Sequence, residues 1–239
     1  MDVRLAAIQY RPPKGAPDSA RGDLEALLHR AGAAGAALAV APEMATTGYV
    51  WPHPALIAPH CEPADGPTAA RLGRVARKHR MWVVCGFAED GGDAYYNSAM
   101  VIDHDGQLAG VYRKVDLFDL DTFWATPGDT AFAVDTPFGP LAVGICRDLV
   151  EDRYPLWLKE NQPSVLAFCA AWVPCGEDVH AYWLERLAPF NGVTVAANGW
   201  GVDMGVPCSG GSAILSSAGV LASGPAEGDA LVIADLSLR

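Results

Sequence analysis

The chain has 239 residues, 28 acidic and 17 basic side chains and a formal net charge of −11; 51% of its residues are hydrophobic and 19% charged. Such a balance excludes a disordered or fibrous chain, and the acidic excess disfavours nucleic acid and anionic membrane as partners. No apolar run reaches the roughly 18–20 residues of a membrane-spanning helix, and the start MDVRLAAIQY lacks the basic and long apolar segments of a secretory signal, so one soluble, cytoplasmic domain over 1–239 is expected.

Strand and helix signals alternate along the chain. VRLAAIQ (3–9) reads as a buried strand, and a Pro/Gly loop leads to a helix that Asp18 or Ser19 can cap. In it Leu24, Leu27, Leu28 and Ala31 recur with helical spacing, before Gly32 and Gly35 end it. ALAVA (37–41) is a second buried strand, residues 67–80 a helix opened by Pro67, and MWVVCGF (81–87) a third strand. NSAMVID (97–103) and LAGVYRK (108–114) flank an Asp105–Gly106 turn and predict a hairpin. FAVD (132–135) and LAVGIC (141–146) follow, then helices over 153–160 and 178–190, strands near 164–169 and 193–198, and short tail strands near 212–215, 219–222 and 230–235. The fold class is α/β, rich in strands covered on both faces.

Six cysteines, Cys61, Cys85, Cys146, Cys169, Cys175 and Cys208, show no CxxC pairing and read mostly as buried thiols. His53, His60 and Cys61 lack ligand spacing, and no metal is expected. The basic residues Arg71, Arg74, Arg77, Lys78 and Arg80 read as the solvated face of an amphipathic helix.

Three ionisable residues stand at the carboxyl ends of predicted buried strands: Glu43, Lys114 and Cys146. Strand carboxyl ends are where α/β sheets present functional groups. Together the three supply a carboxylate base, a fixed cation and a nucleophile, a set suited to acyl transfer through a thioester. Between a strand and a helix, Cys146 is expected to be favoured as a thiolate by amide N–H groups and the helix dipole. The Arg147 N–H is placed to help hold an oxyanion.

PEMATTGY (42–49), YNSAMVIDHDGQLAGVYRKVDLF (96–118) and FAVDTPFGPLAVGICRD (132–148), with VTVAANGWG (193–201) and GGSAILSSAGVL (211–222), resemble the nitrilase, or carbon–nitrogen hydrolase, superfamily in order along nearly the whole chain. The resemblance implies a four-layer α-β-β-α sandwich, a Glu–Lys–Cys triad and hydrolysis of a non-peptide C–N bond without metal or organic cofactor. Carried over, Glu43 is the base, Lys114 the oxyanion stabiliser and Cys146 the nucleophile. It also implies a homodimer or higher homo-oligomer, and a chain this short suggests a bare catalytic sandwich without the C-terminal strap common in the family.

Departures from the family pattern bear on substrate. A second glutamate usually precedes a Pro-Gly between lysine and cysteine; here Pro127–Gly128 places Asp121 in that slot, one methylene shorter. Cys146-Arg147-Asp148 matches the amidase branch at Asp148 and argues against nitriles, while Arg147 is unusual. Facing the pocket, Arg147 would grip a substrate carboxylate; turned away, it would pair with Glu151 or Asp152. A glutamate common in the late helix is replaced in Ala188-Pro189-Phe190-Asn191. Tyr49, Trp51, Phe118, Trp124, Trp172 and Trp200 are candidate pocket walls, with core packing the alternative for each. The function expected is a cysteine amidohydrolase that takes a small carboxamide or N-carbamoyl compound and releases ammonia. Nitrile hydrolysis and a non-hydrolytic binding protein on the same fold are the alternatives.

Overall fold

The computed structural model describes residues 2–237. Strands β1 (Asp2–Gln9), β2 (Leu38–Val40), β3 (Trp82–Asp90), β4 (Tyr95–Ile102), β5 (Leu108–Arg113) and β14 (Ala230–Ser237) form one six-stranded sheet in the order β14-β1-β2-β3-β4-β5. Strands β6 (Phe132–Thr136), β7 (Gly139–Ile145), β8 (Val165–Ala170), β9 (Val193–Asn198), β12 (Ala213–Ser216) and β13 (Gly219–Ser223) form the other, ordered β13-β12-β9-β8-β7-β6. A separate ribbon pairs β10 (Trp200–Asp203) with β11 (Val206–Ser209). The helices are α1 (Pro17–Ala33), α2 (Pro54–Ile57), α3 (Pro67–His79), α4 (Arg153–Asn161) and α5 (Val179–Leu187).

Side-chain alternation explains the layering. Along β1, Leu5 and Ala7 join the core shared with the second sheet, whereas Ala6 and Ile8 pack with Leu24 and Leu28 of α1 and Leu72 and Val75 of α3. On the far side, Leu158 of α4 and Trp183 and Leu187 of α5 pack on the second sheet. Both sheets are therefore buried on two faces, and their parallel central strands read as continuous apolar runs. The layers are α-β-β-α, as the sequence led us to expect.

Three local expectations are corrected. Helix α1 starts at Pro17 with Ala16 as its cap residue and no side-chain cap; Asp18 instead meets Arg21 at 2.6 Å, so neither Asp18 nor Ser19 caps it. Proline at the first helical position needs no N–H partner and presets φ, which removes the need for that cap. Helix α5 ends at Leu187, short of 190, because Pro189 has no N–H to continue the helical hydrogen bonds. The β10–β11 ribbon went unforeseen: its two-residue turn, Met204–Gly205, has φ 46° and 86°, the left-handed pair that lets the chain fold back as a hairpin. The basic face of α3 is solvated and partly paired, Arg71 with Glu25 and Arg80 with Asp105. No helix of the described residues is long and apolar enough to cross a membrane.

Candidate active site

The carboxyl ends of β2, β5, β7 and β8 meet between the two sheets. Glu43 follows β2, and its backbone lies hard against β3. A Cβ on Gly86 would stand 2.4 Å from the Pro42 carbonyl oxygen and 2.7 Å from the Glu43 Cα, so β3 needs glycine where Glu43 enters. Lys114 leaves β5 with its N–H donating to the Asn97 carbonyl at 2.8 Å. Cys146 leaves β7 as the first residue of a short 3-10 turn, Cys146–Leu149, with φ 44°. Left-handed backbone at a residue with a Cβ is strained, and it turns the thiol out of the strand line.

Asp148 holds that turn to the end of β5. One carboxylate oxygen accepts the Ile145 N–H at 2.8 Å and the Tyr112 hydroxyl at 2.7 Å; the other accepts the Asp116 N–H at 3.0 Å and the Val115 N–H at 3.3 Å. One buried side chain thereby fixes the Cys146 turn relative to the backbone that carries Lys114. Burial pushes the Asp148 carboxyl up to about 6 against these hydrogen bonds. Its charged form binds the loop, so turnover is expected to decline as pH falls through about 6, where protonation removes acceptors. The sign for stability is opposite: between the ordinary carboxylate range and about 6 the folded protein holds the extra proton, so stability falls as pH rises through that window. Asp148→Asn, which sets amide donors against backbone N–H groups, should lower kcat about tenfold or more and erase the acid limb. A pH–rate profile that keeps its limb in the variant would refute this role.

Lys114 is fully buried and ion-paired twice, to Glu43 Oε1 at 2.7 Å and to Asp121 Oδ2 at 2.5 Å. Asn97 Nδ2 bridges the same two acids, at 2.8 Å to Glu43 and 3.2 Å to Asp121. The free Glu43 oxygen accepts the Ala171 N–H at 2.9 Å, and Asp121 accepts the Phe118 N–H at 3.0 Å. Asp121 is thus no surface carboxylate; despite its missing methylene it reaches Lys114 from its own 3-10 turn, Asp121–Phe123.

Burial raises the Glu43 carboxyl above the ordinary range, with Lys114 opposing and Asp121 reinforcing. For Lys114 burial pulls the ammonium down, but Asp121 and Glu43 outweigh it and keep it charged. The Cys146 thiol is pushed well up, first by burial and then by the Glu43 charge. The expected resting thiolate is therefore corrected: a four-residue 3-10 turn carries little dipole, α4 begins only at Arg153, and a carboxylate faces the sulfur. The thiol needs a base at the moment of reaction, and Glu43, raised by burial, is suited to that task.

Cys146 opens into a cavity of about 180 Å³ walled by Tyr49, Phe118, Val150, Trp172 and Tyr182, with Arg147 beside it. Arg147 borders the cavity, and its guanidinium pairs with Glu151 at 2.9 Å, the second of the two readings. Trp172 is fixed by its N–H to Asn198 Oδ1 at 2.9 Å and by packing on Tyr182 and Trp183. Trp124 does not line this cavity; it is buried in the cluster of Met44, Tyr49 and Trp51, because the turn at Asp121 folds it inward. Trp51 likewise packs there, its Nε1 donating to the Gly48 carbonyl at 2.8 Å. Sequence reasoning missed Asn97 and the anchoring role of Asp148; the one available signal was a polar Asn inside the apolar strand YNSAMVI.

A buried carboxylate and ammonium gathered near a cysteine at the strand ends of a four-layer sandwich form a set of groups suited to hydrolysis. The model of the carbon-nitrogen hydrolase family matches residues 4–239, and the chain belongs to that family. A nitrilase of Pyrococcus abyssi is 36% identical over 61% of this chain, though the match spans only 56% of that protein. Protein N-terminal amidase of Schizosaccharomyces pombe is 25% identical over 89% of this chain and 91% of its own. Among solved structures, a mutant of the amidase from Nesterenkonia sp. AN1, bearing acrylamide added to its active-site cysteine, superposes with a TM-score of 0.87 at 21% identity, covering 98% of this chain and 93% of that one. At that identity the likeness shows the shared fold.

Proposed function

We propose that the chain hydrolyses a small carboxamide or N-carbamoyl compound through a thioester on Cys146. The observation that carries this reading is the Lys114 ammonium, bonded at once to Glu43 and Asp121 beside the cavity that holds the thiol. Glu43 takes the thiol proton as Sγ attacks the carbonyl carbon. The oxyanion meets the third ammonium proton of Lys114 and the Arg147 N–H, electrostatic stabilisation worth about 3 kcal/mol per donor. Collapse breaks the C–N bond, and the nitrogen leaves with the proton held by Glu43. Glu43 then deprotonates a water that attacks the thioester, and the acid departs as the thiol is restored. An unsubstituted nitrogen leaves as ammonia.

Asp121 and Asn97 are positioning residues here, holding Lys114 and Glu43 in register. Quenching the enzyme during turnover of a carboxamide should leave an acyl mass on the peptide containing Cys146, with ammonia formed in step with acid. An acyl mass on another residue, or none under single-turnover conditions that release product, would sink the thioester route. The homo-oligomer belongs to the same reading, and a solution mass equal to one chain would exclude it.

A further inference from the structure

Around the Cys146 cavity of about 180 Å³, Arg147 is the one charged side chain among the described residues, and the wall holds no acid, amide, histidine, serine or threonine. Phe118, Val150, Trp172, Val173 and Tyr182 supply carbon surface. The Trp172 ring stands edge-on to Trp183, with centroids 5.6 Å apart, and lies 5.4 Å from Tyr182 and 6.4 Å from Phe168. A ring held by three aromatic neighbours does not swing aside, so this wall stands formed before a ligand arrives. The Tyr49 hydroxyl is buried without a partner, and its ring lies 5.9 Å from the Lys114 ammonium. That group belongs to the end where the amide is cleaved, and the acyl chain is left with apolar surface.

Arg147 decides whether a charged acyl chain is admitted. Its guanidinium pairs with Glu151 at 2.9 Å, and Glu151 lies outside the Cys146 cavity, in the wall of a neighbouring hollow with Asp116, Asp152 and Arg153. Arg147 borders both spaces, and its partner draws the charge toward the outer one. The other ions of that hollow are already paired, Arg153 with Asp116 at 2.8 Å and Asp152 with Arg186 at 2.7 Å, so none competes for Glu151. With side chains 32% and 48% exposed, the Arg147–Glu151 pair is weak in itself; its effect is to withdraw the one cation that could offset a buried anion. Behind Cys146, the charges its thiol feels are two acids, Glu43 and Asp121, against one cation, Lys114. A carboxylate on the acyl chain would therefore leave water for an apolar wall beside a net negative cluster. Methyl and methylene groups lose nothing there and gain with each carbon buried.

Resting on the hydrolase reading, we propose that the Cys146 cavity is an acyl pocket selecting carboxamides with an uncharged, apolar acyl chain, and that Glu151 sets this selectivity by holding the Arg147 guanidinium out of it. Glu151 is thus a positioning residue. At about 30 Å³ for each water-sized group, the cavity takes roughly six of them, close to the bulk of an amide with a branched chain of four carbons. The carbonyl carbon meets Sγ, the chain lies along Val150, Trp172 and Tyr182, and the S–C bond forms as the thiol proton moves to Glu43. The C–N bond then breaks, ammonia leaves with that proton, and water releases the acid from the thioester.

The test uses isovaleramide, malonamide and malonamate, which match in their number of non-hydrogen atoms and end in two methyl groups, an amide and a carboxylate. In kcat/KM the native enzyme should favour isovaleramide over malonamate by about 100-fold or more, with malonamide between them, and should gain about fourfold per carbon from acetamide to butyramide. Glu151→Gln should raise malonamate turnover about fivefold or more and leave isovaleramide within about twofold; adding Arg147→Gln should cancel the gain. Malonamate cleaved as well as isovaleramide, or a flat series from acetamide to butyramide, overturns the pocket. A Glu151→Gln variant with native selectivity overturns the role of Glu151. Calorimetry on Cys146→Ala protein, where chemistry is blocked, should show the same order of binding and separates the pocket from the hydrolase reading. Preferred binding of isovaleramide, with a native chain inert to every amide, would uphold the pocket and refute the hydrolase; amides cleaved without preference would do the reverse.

Discussion

Replacing Cys146 by alanine is expected to cut kcat by ~10⁴-fold or more while the protein stays folded. Cys146 is 7% exposed, and the proposed covalent step depends on its sulfur. Its loss removes one sulfur from a cavity rim, and alanine meets the same φ of 44° that cysteine already bears. Melting temperature should therefore move by only a few degrees, about 1 kcal/mol in stability. Cys175 is exposed and also borders the cavity, but its sulfur faces the Val173 carbonyl at 3.5 Å and stands apart from the ion-pair network. Cys175→Ser should leave turnover within about twofold, as surface substitutions generally do. Amide hydrolysis measured on both variants separates the two thiols; undiminished rates in Cys146→Ala would end the sulfur mechanism.

Lys114→Met should damage both catalysis and stability. Methionine roughly fills the lysine volume, but it leaves Glu43 and Asp121 facing each other, both buried, with no cation between them. Breaking a buried pair in this way costs about 3–5 kcal/mol, and loss of the oxyanion partner should lower kcat by about 10²–10³-fold or more. Two neighbouring buried acids cannot both stay charged, so at least one is expected to bind a proton. A carboxyl raised in the folded state holds its proton where the unfolded chain has released it, so the variant should lose stability as pH rises above about 4. Adding Asp121→Asn removes one of the two charges and should recover stability without recovering turnover. Denaturant melts across pH with parallel rate assays check all of this. A variant as stable as the parent at neutral pH would show that the triad charges are not coupled as the distances imply.

The buried strands and the three ionisable residues at their ends were legible because they follow from short-range chemistry, whereas the four-layer stacking was implied by the family resemblance. Continuous apolar runs marked the buried parallel strands, and Glu43, Lys114 and Cys146 stood out as ionisable groups ending such runs. Asp121 was singled out by the family pattern at Pro127–Gly128, though not its depth. What escaped depends on contacts between segments distant in sequence. Asn97 bridges an acid 54 positions before it and another 24 after it, and Asp148 draws in backbone from the end of β5. The protonation of Cys146 was misjudged because local position suggested a helix end, whereas the sulfur is buried and feels the opposite sheet's Glu43 carboxylate. Trp124 failed as a pocket wall for a related reason, since proximity in sequence to Asp121 does not decide which side of a turn an indole takes.

Glu43, Asn97 and Lys114 come from one sheet; Cys146 and the Ala171 N–H come from the other. Neither half of the sandwich holds a working set, so the docking of the sheets is itself a condition for chemistry. Slippage between the layers would part the sulfur from its base before either sheet lost its own hydrogen bonds. Activity should accordingly vanish early in a denaturant titration, ahead of the far-ultraviolet signal. The enzyme's turnover is then a strain gauge for the seam between its two halves.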